Sequence, residues 1–177
     1  MGSSLIYWAQ HAEAHSRLRS QHNLDNCEIV WIGMRGAGLR MIQRLIAMGL
    51  NSNTIPDIIV VHLGANDLST LKSLDIVNKL LAIKRFLLFK FPVAHVLFSE
   101  LAFRSVYRGV EQSRSKTLDK ARRRINTLLH KHCSPGYVIP HREITAQTGL
   151  GKDGVHLDAV GYHMFVHSIY THIAKLT

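Results

Sequence analysis

Short β-branched apolar runs alternate along the chain with longer stretches whose apolar positions recur every three to four residues, the pattern of a parallel sheet with helices on its faces. The runs at 28–33, 57–63, 94–99 and 137–140 predict strands, and the stretches at 5–21, 39–48, 71–89, 115–132 and 159–176 predict helices. In the fourth helix Leu118, Ala121, Ile125, Leu128 and Leu129 form one apolar stripe. Arg122, Arg123 and Arg124 then fall mostly off the core face, turned to solvent unless a partner binds them. The last helix sets Val160, Met164, Ile169, Ile173 and Leu176 near one side, where a methionine signals packing. Neither internal repeat nor low-complexity tract nor linker interrupts the alternation, so residues 1–177 are expected to form one α/β domain. In such sheets ligands bind beyond the carboxyl ends of the strands.

Composition sharpens this picture modestly. With 177 residues, 46% of them hydrophobic, the chain can bury a core without a metal or disulfides. Its two cysteines, Cys27 and Cys133, lack ligand or redox-motif spacing and are expected to be inert thiols. The longest apolar region, 80–98, is broken by Lys84, Arg85, Lys90, Pro92 and His95, which excludes a membrane-spanning helix. No signal peptide is recognisable, so a soluble and cytoplasmic location is expected over a secreted one. The net charge of +10 is concentrated: residues 104–132 hold nine Lys and Arg against Glu111 and Asp119. Such a segment attracts nucleic acid or an acidic partner, or simply maintains solubility.

Four segments sit where chemistry is expected. Gly2-Ser3-Ser4-Leu5 precedes a helical pattern and suits either a helix cap or a positioned hydroxyl. Gly36-Ala37-Gly38 follows the first predicted strand and can turn a backbone N–H into a site. The run ending Gly64-Ala65-Asn66-Asp67 passes from a strand directly into a turn, where the amide of Asn66 can cap a loop or donate to a developing oxyanion. Asp153-Gly154-Val155-His156 places a carboxylate three residues from an imidazole whose tautomer it can fix.

In this order the four segments resemble the blocks of the SGNH, or GDSL-type, hydrolase family. Ser4, Gly36, Asn66 and His156 would be its four named residues. The resemblance implies a three-layer α/β/α fold with a parallel, flavodoxin-like sheet, and ester hydrolysis through a serine acyl-enzyme. Ser4 would be the nucleophile, His156 the base and Asp153 its orienting carboxylate. The N–H groups of Ser4 and Gly36 and the amide of Asn66 would form the oxyanion hole. No metal or organic cofactor is required, and the substrate would be a small acyl ester. More narrowly, residues 31–36, 120–126 and 153–157 look like esterase-type domains of retroelement-derived proteins in fish and amphibians. A non-catalytic alternative is an SGNH-like module that binds nucleic acid or an acidic partner through residues 104–131, with Arg122, Arg123 and Arg124 as contacts.

The chain departs from the pattern twice. Ser3 stands where the family usually has Asp, and a first strand ahead of the nucleophile is not recognisable. In a 2-1-3-4-5 sheet that strand is central, so its neighbours are expected to close up or to stand apart, as in an N-terminally truncated domain. Twelve histidines include two pairs at four-residue spacing, His11 with His15 and His163 with His167. Without a third ligand neither pair specifies a metal site, and metal binding is not expected.

Overall fold

The computed structural model describes residues 1–11, 15–49, 55–107 and 109–177. Three parallel strands, β1 (Ile58–Val61), β2 (His95–Ser99) and β3 (Val138–Ile139), pair in the order β1-β2-β3, with Val61 opposite Phe98 and Phe98 opposite Val138. Helices α1 (Ser4–Ala9), α2 (His15–Gln21), α3 (Ile42–Gly49), α4 (Ser73–Lys90), α5 (Gln112–His132) and α6 (Ala159–Ile173) complete the element order, with short 3-10 turns at Leu39–Met41 and Ala65–Asp67.

The period of two along each strand divides its side chains between two cores. Ile59, Val61, Val96, Phe98 and Val138 pack with the apolar stripes of α3, α4 and α5. Leu97 and Ile139 turn the other way, toward α1, α2 and α6, and half-buried Ile58 and Val60 pack there too. The result is the expected three-layer α/β/α sandwich. On α5 the stripe of Leu118, Ile125 and Leu129 is buried as its spacing predicts. Asp158 caps α6 by accepting from the Gly161 N–H at 2.8 Å. No described helix is long and apolar enough to cross a membrane.

The central position of the sheet is filled by its first residues. Gly2 donates to Ile32 O at 2.9 Å and accepts from Met34 N at 3.1 Å on one side. On the other, His62 N donates to Met1 O at 3.0 Å and Ser3 N to His62 O at 3.3 Å. Gly2 thus forms parallel bridges to both Gly33 and His62, which gives the lane order 2-1-3-4-5 with lane 1 reduced to a bridge. Two glycines make the approach possible. A Cβ on Gly2 would strike the carbonyl oxygen of His62, and one on Gly33 would strike the backbone N and Cα of Tyr7. The backbone of α1 therefore rests directly on Gly33.

Two expected elements differ. The strand expected over 28–33 is not formed: only Gly33 bridges, because the lane beside residues 28–31 offers no ladder to pair with. Trp31, Ile29 and Cys27 are half-buried against the α1, α2 and α6 core instead. The helix expected over 5–21 is found as α1 and α2, with residues 12–14 outside the described residues.

Candidate active site

The carboxyl ends of the lanes bring the four sequence blocks together. Ser4 opens α1 one residue beyond the cap position, so its N–H is a first-turn donor with no partner within the helix. Ser3 is held through its backbone: its N–H donates to His62 O at 3.3 Å, while its buried hydroxyl makes no hydrogen bond.

The turn after β1 is opened by Gly64 in the left-handed region, φ 110°, a conformation that other residues adopt at a cost. Asn66 follows, and both ends of its amide are held. Nδ2 donates to Ala37 O at 2.9 Å, and Oδ1 accepts from an Arg104 terminal nitrogen at 3.2 Å. One Nδ2 hydrogen remains for a ligand. Asp67 accepts from the Leu39 N–H at 3.0 Å, which fastens the Gly36 loop to the same turn, and burial pushes its carboxyl up from the usual range. Gly36 itself is exposed at φ 73°, with nothing near its Cβ position.

Asp153 and His156 form a self-contained turn. One carboxylate oxygen accepts from the N–H groups of His156 at 2.9 Å and Val155 at 3.0 Å. The other meets His156 Nδ1 at 2.6 Å, leaving Nε2 as the ring nitrogen not engaged by the acid. The His156 N–H, followed by the Val155 N–H and the imidazole, holds the Asp153 carboxyl down at about 2. Gly154, at φ 67°, turns its carbonyl toward the N–H groups of Ser105 at 2.9 Å and Val106 at 3.1 Å, which docks this turn on the segment after β2.

Ser4, Gly36, Asn66 and His156 line one cavity of about 220 Å³, together with Arg35, Arg104 and Tyr107. A larger groove of about 580 Å³ shares Gly36 and Asn66 with it and continues past Asp67 and Arg40. Ser4 and His156 face the same cavity without a hydrogen bond between them in this structure. Among the described residues no group of three His, Cys, Asp or Glu is placed to hold a metal. His163 and His167 stack with ring centroids 6.3 Å apart, and His167 shares a hydrogen bond with His22; the side chain of His15 lies outside the described residues.

A buried polar chain crosses the sheet nearby. His62 Nδ1 meets Ser99 Oγ at 2.9 Å, Ser99 Oγ meets His141 Nε2 at 2.6 Å, and His141 Nδ1 meets Ser168 Oγ at 2.7 Å. Burial lowers both imidazoles, His62 to about 3 and His141 well below its ordinary value.

The basic segment is less uniform than its sequence suggests. Arg122 is not solvent-facing: its side chain is 14% exposed, paired with Asp119 at 2.8 Å and donating to Leu101 O at 3.0 Å. The reach of a guanidinium lets it fold back beneath the loop after β2. Arg104 points inward as well, and Arg108 lies outside the described residues. Arg123 and Arg124 do lie on the exposed face, Arg123 paired with Asp119. Arg35, Arg104 and Tyr107 are the lining residues that sequence reasoning missed. Arg104 was hidden in a run of bases, and no local spacing marks its burial.

No protein-family model matches the chain, and neither does any curated protein. Solved structures do. A member of the lipolytic protein G-D-S-L family from Veillonella parvula superposes with a TM-score of 0.72 at 16% identity, over 96% of this chain and 93% of its own. A carbohydrate esterase family 3 protein from Talaromyces cellulolyticus gives 0.70 at 16% identity, over 99% and 95%. A GDSL-like lipase from Bacteroides thetaiotaomicron gives 0.72 at 14%, over 100% and 87%. The architecture is thus an α/β/α sandwich on a parallel sheet. Within that class it is the SGNH hydrolase fold.

Proposed function

We propose that the chain is a serine ester hydrolase of SGNH type acting on small acyl esters. The observation that carries this is the His156 ring, tied to Asp153 at 2.6 Å, in one cavity with Ser4, Gly36 and Asn66; in this reading three donors, the N–H groups of Ser4 and Gly36 and the remaining Asn66 amide hydrogen, serve the oxyanion. Esterases and lipases of the same fold support it.

Ser4 Oγ attacks the ester carbonyl and gives its proton to His156 Nε2, while the three donors bind the oxygen as it becomes negative. Collapse of the tetrahedral species expels the alcohol, which leaves with the proton from His156. Water then attacks the acyl-Ser4 ester, His156 takes its proton and returns it to Ser4, and the carboxylic acid departs. Asp153 stays ionised throughout, since its carboxyl is held at about 2, and it stabilises the imidazolium that forms twice per cycle.

A fluorophosphonate probe followed by mass spectrometry tests this reading. Modification is expected at Ser4 and is expected to vanish in His156→Ala. Modification at another residue, or labelling of the two proteins at equal rates, refutes it.

A further inference from the structure

Helix α4 has two apolar faces, and the core uses one of them. Ile76, Val77, Leu80, Ile83 and Leu87 are buried in the core shared with β1, β2 and α5. Ala82, Phe86 and Phe89 fall within an arc of roughly 60° on the opposite side, and all three are exposed. Phe89 is 86% exposed, and Val93, just past the Phe91 cap, is 73% exposed. Side chains this far from the core stand out as a ridge. Cations flank it, Arg85 on one side and Lys79 and Lys90 on the other, and all of them are exposed. From Ile76 to Ser99 the chain holds Lys79, Lys84, Arg85 and Lys90 and no acidic residue. Asp75 shares the stripe but lies near the start of α4, about 21 Å from Phe89 along the axis. Asp57, whose carbonyl accepts from the His95 N–H at 2.7 Å, is the acid at the Val93 end.

An apolar ridge between two rows of cations selects its occupant. A second copy fits poorly, because a two-fold contact sets the ridge against itself and brings Arg85 and Lys90 against like charges. An anionic lipid surface meets both demands at once: its acyl boundary takes the apolar side chains and its headgroups take the cations. We propose that the ridge of Phe86, Phe89 and Val93 docks the protein on an anionic membrane surface, with Lys79, Arg85 and Lys90 among the headgroups. The ridge also adjoins the larger groove, whose wall includes Lys79, Ala82 and Ile83, with Phe86 one turn beyond Ala82. A membrane lying along α4 therefore meets the outer end of a groove that shares Gly36 and Asn66 with the Ser4 cavity. Docking needs neither Ser4 nor His156, so it holds or fails independently of the esterase reading.

Sedimentation of the full chain with vesicles tests this, using phosphatidylcholine alone and phosphatidylcholine with about one-third phosphatidylserine, in about 0.1 M salt. Binding is expected with the anionic vesicles only. Phe89→Ser is expected to weaken it about tenfold, the value of one apolar side chain withdrawn from the acyl boundary. The pair Arg85→Gln, Lys90→Gln is expected to weaken it about 25-fold, roughly fivefold for each cation. All three positions are exposed, so the variants keep the fold. The pair Arg17→Gln, Lys175→Gln removes the same net charge from exposed positions beside the α2 and α6 core, across the sheet, and is expected to leave binding within about twofold. No binding to anionic vesicles, equal binding to neutral ones, indifference to either α4 variant, or an equal loss in the Arg17, Lys175 pair overturns the proposal. So does a dimer, seen by sedimentation equilibrium, that Phe89→Ser dissociates, since a second copy would then occupy the ridge.

Discussion

Asn66 shows how much a single side chain is constrained here. Its amide is gripped at both ends, by Ala37 O and by Arg104, so the hydrogen left over has one direction available. Asn66→Ala is expected to reduce kcat by about 100- to 1,000-fold with little change in KM, measured on any ester the protein turns over. A proportional change in KM would instead place Asn66 in ground-state binding. Asn66, Asp153 and His156 were legible because each sits in a turn whose geometry is written locally, Gly64 opening one and Gly154 the other. Arg104 and Tyr107 were not, since their place in the cavity depends on where β2 delivers the chain, which no neighbouring residue encodes.

At the level of elements, the spacing of apolar residues located β1, β2, β3 and helices α3 to α6 within a few residues, because each buries a stripe against a complete neighbour. It failed at residues 28–33, whose composition is that of a strand but whose neighbouring lane holds only a bridge. Pairing is a property of two segments, and one segment's composition cannot supply it. The same bridge makes Gly33 a support for α1. Gly33→Ala is expected to destabilise the fold by about 1–3 kcal/mol, read from urea denaturation, because a Cβ there enters the α1 backbone. Gly36→Ala, where the space is open and only a φ of 73° is disfavoured, is expected to cost about 1 kcal/mol. Equal costs at the two positions would contradict the close packing of α1 on residue 33.

For the whole molecule, the interior places a limit on acid stability. His62 and His141 are neutral in the fold and protonate in the unfolded chain near pH 6.5. Because the unfolded chain then binds more protons, their contribution is complete above that pH. It is lost progressively as pH falls toward the folded value of about 3 for His62. Thermal melts between pH 7 and pH 4 are expected to show Tm falling, and less steeply in a His62→Gln, His141→Gln variant than in the natural sequence. Parallel slopes would assign acid sensitivity elsewhere. The structural neighbours, bacterial and fungal, speak to the fold; the narrower resemblance to retroelement-derived domains rests on its three sequence stretches alone.

The links of the buried chain from His62 to Ser168 also share one sense. With the Ser168 hydroxyl donating to Phe165 O at 2.9 Å, it accepts from His141 as the Nδ1–H tautomer. Neutral His141 then accepts at Nε2 from the Ser99 hydroxyl, and Ser99 accepts in turn from Nδ1–H of His62. Every hydrogen points the same way along the row, and His62 Nε2 is left as a bare lone pair. Adding one proton to His141 leaves Ser99 accepting from both imidazoles, with its own hydrogen deprived of its acceptor in the row. The cost of that proton therefore falls on the next link of the row and not on His141 alone.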